Sequence, residues 1–265
     1  MPPTNVSDAV RYEAGDGIGV ITLNRPDERN SMTPELLDAF ARASAAARAD
    51  ADIRALVVTG TGACFSAGAD FKAGLQRGGD ELPPHERSYA MYEPFLSVLD
   101  IEVPIIGALN GHAVGGGFGL ALVCDIRIAA LEAKYGANFV ALGLAPGMSI
   151  SYLLPRLTGP ARASELLLTG RLVDGAEAER IGIVNRAVAS PQVMGEAMAM
   201  ARAIAGNGPF AVRATKAAIR RGLAMDIRAA ARAEAHDQAK SLTTDDAREG
   251  MAALLAKRKP IFTGR

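Results

Sequence analysis

The spacing of apolar positions changes several times along this chain, and each change marks an element. Gly19 to Asn24 (GVITLN) is a short β-branched run closed by Arg25-Pro26-Asp27, which predicts a strand and then a turn. Thr33-Pro34-Glu35 has the chemistry of a helix start: a capping hydroxyl, a proline suited to the first position, and an acid at the positive end. Leu36, Leu37, Phe40 and Ala43 then supply one apolar face, and the pattern runs to about Ala49. Arg54 to Gly60 (RALVVTG) reads as a buried strand. Strand, helix, strand is the rhythm of an α/β architecture.

Downstream, Thr61 to Asp70 is a loop followed by a helix, Gly78 to Pro84 (GGDELPP) a surface loop, and Glu86 to Leu99 a helix. Pro104 to Leu109 is a strand, Asn110-Gly111 a turn, Gly117 to Val123 a buried helix, and Asp125 to Ala129 a strand. Beyond about Ser164 the pattern is helical and Ala-rich, through Glu196–Ala205, Phe210–Arg221, Ile227–Lys240 and Asp245–Lys257. The expected division is a core over 1–200 and a helical tail over 201–265. Val103 to Cys124 carries no Asp, Glu, Lys or Arg and is long enough to span a bilayer. Its Pro104, Asn110, His112 and glycine cluster instead predict a buried strand, a tight turn and a buried helix, with no membrane span.

Composition narrows the function. In 265 residues, apolar positions make up 49% and charged ones 22%, the profile of a globular protein. Lys+Arg and Asp+Glu both number 29, which argues against nucleic acid as the main partner. The two cysteines, Cys64 and Cys124, are too far apart for a paired metal motif and read as reduced and buried. Asp8, Glu13 and Asp16 interrupt the first stretch, so no export signal is expected, and the expected location is cytoplasmic.

Two glycine-rich segments, around Gly68 and around Gly115 to Gly119, each follow a buried strand and open onto a helix. Backbone N–H groups at a helix start are unpaired and partly positive, so two such turns side by side would hold one oxygen between two donors. On glycine content alone, tight packing is the commoner reason for such glycines. Other chemistries fit less well. Gly115 to Gly119 (GGGFG) lacks the spacing of a dinucleotide fingerprint, and no glycine-rich segment ends in Gly-Lys-Ser/Thr. Ser66 lacks the preceding glycine of a nucleophile elbow, and His85, His112 and His236 are scattered without metal-binding spacing.

Gly62 to Lys72 (GACFSAGADFK) resembles the first signature of the crotonase, or enoyl-CoA hydratase/isomerase, family. Asn110 to Gly117 (NGHAVGGG) with Cys124-Asp125 resembles its second, and the likeness runs from about Val20 to Phe262. The resemblance implies an α/β fold, a spiral of ββα units with a C-terminal helical region used in assembly. It also implies a homotrimer or a dimer of trimers. It implies an acyl-CoA ligand, with coenzyme A as part of the substrate and no permanently bound cofactor. Ala69 and Gly116 would supply the oxyanion-hole N–H groups, and Asp70 would brace the loop. Arg25 to Asn30, with Arg25 and Arg29 as its cations, matches the segment holding the adenine and phosphate end. Ala67, Asp70, Phe71 and Lys72 would line the pantetheine path, and Lys257 and Phe262 match tail positions that reach the nucleotide.

The chain departs from this pattern at three points. Family hydratases carry a Glu two residues after the glycine triplet, where this chain has Gly119. A second Glu falls three residues after an aromatic-Gly pair, here Phe139 after Tyr135-Gly136. Some isomerases place an acid after a later proline, but Pro146 is followed by Gly147. Gly119 is expected to open space and Phe139 to add an apolar wall or to fill what Gly119 vacates. Asp125 matches a structural position. The expected protein is either an enzyme with another proton carrier, for which His85, Tyr89, Tyr92 and His236 are candidates, or a non-catalytic acyl-CoA binder. A shifted local register, bringing an acid in from elsewhere, is the third reading.

Overall fold

Two strands joined by a two-residue turn come first in the computed structural model, which describes residues 8–69, 83–223, 240 and 243–265. β1 (Val10–Gly15) and β2 (Ile18–Leu23) pair antiparallel, with Gly15 opposite Ile18. Asp16 and Gly17 between them both take positive φ, the tight hairpin turn that matches strand twist. β1 is the sheet edge, and its burial is correspondingly partial.

α1 (Pro34–Ala49) starts where the capping chemistry places it, with the Thr33 hydroxyl accepting from the Leu36 N–H at 3.2 Å. Its buried face includes Leu36, Leu37, Phe40 and Ala43, and Phe40 meets Phe95 edge to face at 4.9 Å. Phe95 belongs to α2 (Pro84–Leu96).

The chain then winds. β3 (Ala55–Gly60) is followed by β4 (Cys64–Ser66), β5 (Ile105–Leu109) by β6 (His112–Val114) and α3 (Gly116–Val123), and β7 (Ile126–Ala130) by β8 (Lys134–Gly136). The first strand of each pair joins one sheet and the second joins another. With β9 (Val173–Asp174) and β10 (Arg186–Val188), the orders are β1-β2-β3-β5-β7-β10 and β4-β6-β8-β9. Pairing is parallel except at β1/β2 and β8/β9. Each turn of this ββα spiral therefore stacks on the one before. Covered on both sides, β3 and β5 are continuous apolar runs instead of alternating ones.

α4 (Ile150–Thr158), α5 (Pro160–Thr169) and α6 (Gly175–Arg180) follow the spiral. α7 (Val193–Ala205) buries Val193, Ala197 and Ala201, and residue 200 lies within it. α8 (Pro209–Gly222) and α9 (Asp245–Leu255) form the described part of the tail. A buried cation ties α8 to the core: Lys216 Nζ donates to the carbonyls of Ile101 (2.9 Å) and Val103 (2.6 Å) and pairs with Asp125 at 2.8 Å. Asp125 also accepts from the Ile105 N–H and pairs with Arg220. It is a structural clasp, as expected. The end of the chain folds back too, with Arg54 donating to the carbonyls of Ala205 and Phe262.

Both cysteines are free and buried, and burial pushes the Cys124 thiol up to about 12. Among the described residues no helix is long and apolar enough to cross a membrane. Val103 to Cys124 forms β5, a turn and α3 as expected, with the short strand β6 between turn and helix. The predicted helix after Asp70 and most of Ile227–Lys240 lie outside the described residues, as do residues 78–82 of the surface loop.

Candidate active site

The loop that carries Ala69 is held by an asparagine for which composition and pattern offer no cue. Asn30 is fully buried; its side-chain N–H groups donate to the carbonyls of Cys64 (2.8 Å) and Thr61 (3.0 Å), and its Oδ1 accepts from the Arg25 N–H. Ser66, also fully buried, donates to the Asn30 carbonyl at 2.8 Å and accepts from the Gly68 N–H. The Ala67 N–H donates to the Arg29 carbonyl at 3.0 Å. Ser66 is thus a brace with no exposed nucleophilic oxygen. Asn30 sits at φ 51, a left-handed position that Asn tolerates better than most residues.

These bonds aim two peptide groups. The Gly68 carbonyl accepts from the Met32 N–H at 2.8 Å. In a trans peptide the following N–H points the opposite way, so that of Ala69 is directed away from Met32. The Gly115 carbonyl accepts from the Gly119 N–H at 3.0 Å along α3, so the Gly116 N–H points out of the helix start. Neither N–H has an acceptor among the described residues.

Gly68 has φ +80, and a Cβ there would lie 2.9 Å from the Gly116 nitrogen and 2.7 Å from the Val114 carbonyl oxygen. Only glycine allows this approach. It is the close backbone approach between the two glycine-rich turns that the sequence left open as packing or as an anion site.

Ala69 and Gly116 line one cavity of about 290 Å³. Its walls include Met32, Met91, Phe139, Leu144 and Met148, so an oxygen held there would have largely apolar surroundings. Paired donors in such surroundings stabilise developing negative charge far better than water does. The polar side chains in the described lining are Ser88 and Tyr92, which share one face of α2 with Met91. Burial raises the Tyr92 phenol above its ordinary value, and its hydroxyl has no hydrogen-bond partner among the described residues.

The other predicted positions are distributed differently. Arg25 pairs with Glu35, which raises its guanidinium pKa further. Arg29 is exposed at φ 54, and Lys257 is exposed at φ 51. Phe262 packs against Gly208 and Gly250 in a separate cavity of the tail, so within one chain neither Lys257 nor Phe262 lines the cavity of Ala69. Asp70, Phe71, Lys72 and His236 lie outside the described residues. His85 and Tyr89 are exposed on α2, and His112 accepts from the Lys134 N–H at its Nδ1.

Gly119 does not open space, a correction to the sequence reading. A Cβ there would lie 3.1 Å from Met148 Cγ and closer still to Met148 Cβ. Phe139 is partly buried, with its ring edge 3.9 Å from the Cβ position of Gly115. A Cβ on Gly147 would fall 2.8 Å from Tyr92 Cζ.

A two-sheet ββα spiral with paired backbone donors over an apolar cavity defines a crotonase-type protein. The sequence model of the enoyl-CoA hydratase/isomerase family matches residues 13–265, and the chain belongs to that family, which acts on acyl-CoA. It is 36% identical over 254 residues to the crotonyl-CoA hydratase of Syntrophomonas wolfei, covering 96% of this chain and 97% of that one. It is 38% identical over 258 residues to the mitochondrial enoyl-CoA hydratase domain-containing protein 2 of Bos taurus, covering 94% of this chain and 85% of that protein. The fold matches the crystal structure of enoyl-CoA hydratase from Bacillus anthracis with a TM-score of 0.91 and 32% identity, covering 97% of this chain and all of that one.

Proposed function

We propose that this protein is an enzyme that binds an enoyl- or related acyl-CoA thioester and works through a thioester enolate. The enolate oxygen is held by the N–H groups of Ala69 and Gly116. The observation that carries this reading is the pair of carbonyl hydrogen bonds, from Met32 to Gly68 and from Gly119 to Gly115, that turn those two N–H groups away from their own elements beside one apolar cavity.

The usual hydratase acids are absent in this reading. Gly119, Phe139 and Gly147 stand at the family's acid positions, and Met148 and Tyr92 fill the space beside the two glycines. Hydration needs groups to place water and to deliver a proton, and each is worth about 10²–10⁴-fold in rate. Arg25, Arg29, Ala67, Asp70, Phe71 and Lys72 form the coenzyme A path in this proposal, and Lys257 and Phe262 reach the nucleotide of a neighbouring subunit. The tail from 201 to 265 builds the trimer or dimer of trimers; exposed Ile219, Leu223 and Leu255 support that role. Two buried free thiols suit a reducing, cytoplasmic setting.

A thioester panel combined with calorimetric binding tests the proposal. The expected result is micromolar or tighter binding of acyl-CoAs with turnover of at least one thioester, and crotonyl-CoA hydration far below that of acid-bearing relatives. Binding without turnover of any enoyl-, dienoyl- or malonyl-type thioester would make the protein a carrier. Failure to bind any coenzyme A ester would remove the reading altogether.

A further inference from the structure

We propose that Met32 is an oxidation site that closes this pair of donors: hydrogen peroxide converts its thioether to a sulfoxide, whose oxygen takes the Gly116 N–H in place of a thioester carbonyl. The inference rests on the acyl-CoA reading above and adds a regulation of that same site.

Met32 touches both donor peptides through different parts of itself. Its backbone N–H donates to the Gly68 carbonyl at 2.8 Å, and it forms a parallel β-bridge with Ala69. The next residue, Thr33, caps α1, so the start of that helix holds Met32 in place. The side chain reaches the other donor. A Cβ on Gly116 would overlap Met32 Sδ and lie 3.2 Å from its Cε, so the thioether packs directly on the Gly116 backbone. The residue is 4% exposed and lines the cavity that Ala69 and Gly116 share. A thioester carbonyl that reaches the two donors passes this sulfur, and hydrogen peroxide is smaller than any thioester.

A thioether is a weak acceptor and leaves the neighbouring N–H groups to a ligand. Oxidation reverses that. A sulfur lone pair attacks one peroxide oxygen, the O–O bond breaks, and sulfur gives up two electrons as the S–O bond forms. The proton on the transferred oxygen moves to the departing one, which leaves as water. An apolar side chain has become a polar one. Burying such a group without a partner is costly, and here the Gly116 N–H beside the sulfur supplies the partner. The sulfoxide is thus satisfied by the hydrogen bond that a substrate oxygen needs.

The experiment treats the protein with hydrogen peroxide, maps sulfoxide at each methionine by peptide mass spectrometry, and follows butyryl-CoA affinity by calorimetry. Affinity should fall in step with Met32 oxidation, by about tenfold when it is complete, the worth of one good hydrogen bond. It should not follow oxidation of the exposed Met194 and Met251. Bound butyryl-CoA should slow oxidation at Met32 and leave those two unprotected. In 15N-glycine-labelled protein the Gly116 amide proton should move downfield on oxidation, a readout that needs no thioester. Met32→Leu, compared with its own untreated state, should lose the peroxide sensitivity.

Met32 that stays reduced while Met194 and Met251 oxidise overturns the inference, as does a Gly116 amide that oxidation leaves unmoved. Met32→Leu that still loses affinity under peroxide assigns the effect to another methionine and overturns it too. In each case butyryl-CoA binding by the untreated protein leaves the acyl-CoA reading standing. Untreated protein that binds no acyl-CoA removes that reading instead, and the amide shift then decides the sulfoxide contact alone.

Discussion

The Tyr92 hydroxyl occupies the space into which any side chain at Gly147 would have to grow. A side chain at this position and the present placement of the Tyr92 ring compete for the same volume. The bare Gly147 and the phenol beside it are thus one arrangement, and Met148 stands in the same relation to Gly119. The described lining of the cavity is apolar bulk with the Ser88 hydroxyl and one phenol.

That competition is measurable. Gly147→Ala is expected to cost about 1–3 kcal/mol by overpacking against the Tyr92 ring and to weaken acyl-CoA binding. In the double variant Tyr92→Ala/Gly147→Ala, most of the Gly147→Ala cost should vanish, because the colliding ring is gone. Urea denaturation of the four proteins gives the coupling. Strict additivity would mean that the two residues do not compete.

Gly68 carries a different constraint. Gly68→Ala combines a strained φ of +80 with a Cβ under 3 Å from the Gly116 nitrogen, so the two donor peptides must separate. Losing one donor of such a pair costs about 10²–10³-fold in turnover. The expected signature is a fall in kcat with acyl-CoA affinity reduced less, read from steady-state kinetics beside calorimetry. A variant with wild-type kcat would show that the pairing of the two peptides is unimportant.

Much of this was legible in the sequence, and the limits are physical. Thr33-Pro34-Glu35 and the apolar run from Ala55 predict α1 and β3 because capping and burial leave periodic marks. β4, β6 and β8 leave none: each has three residues, too few to show a period, and each becomes a strand only when the spiral stacks it on its neighbour. The hidden loop brace has a similar cause. Asn30 is polar and sits in a turn-like segment, so its full burial follows from Cys64 and Thr61 folding over it, thirty residues later. That the turns bearing Ala69 and Gly116 would come together was legible in their glycine-rich surroundings, and both residues line one cavity. What occupies the space beside Gly119 was not, because Met148 reaches it only through the tertiary fold.

Asn30 itself should repay removal with a clear loss. Asn30→Ala leaves the buried carbonyl of Cys64 without its 2.8 Å donor and frees the Arg25 N–H. A buried polar group left unpaired costs about 1–3 kcal/mol, and here the loop bearing Ala69 also loosens. Thermal unfolding should show the destabilisation, and acyl-CoA binding should weaken further than it does in an equally destabilised variant far from the cavity. Equal weakening in both would assign Asn30 to general stability alone.

The clasp beneath α8 predicts an asymmetry between its two partners. Asp125→Ala strands the Lys216 ammonium, only 7% exposed, against two carbonyls, and breaking a buried pair in this way costs about 3–5 kcal/mol. Lys216→Ala leaves Asp125 with Arg220 and the Ile105 N–H, on a carboxylate one quarter exposed, so it should cost less. Denaturant midpoints of the two variants decide the order. Asp125→Ala as the milder change would refute the clasp as drawn.

Acid should weaken a contact within the tail. Arg258 and the Ile261 N–H hold the Glu249 carboxylate down at about 2, against an ordinary 4.5. A carboxylate whose folded pKa is depressed stabilises the fold fully above its unfolded pKa, because the unfolded state there gains no proton advantage. As pH falls from about 4.5 towards 2, the unfolded chain takes up the proton first and that stabilisation is lost. Wild type should therefore melt above Glu249→Gln at pH 7, by a small margin since the pair is exposed, and the gap should close on acidification through this window. The gap should also narrow in high salt, which screens an exposed pair. A gap that persists unchanged to pH 2 would mean that Glu249 stabilises the tail through packing and not through its charge.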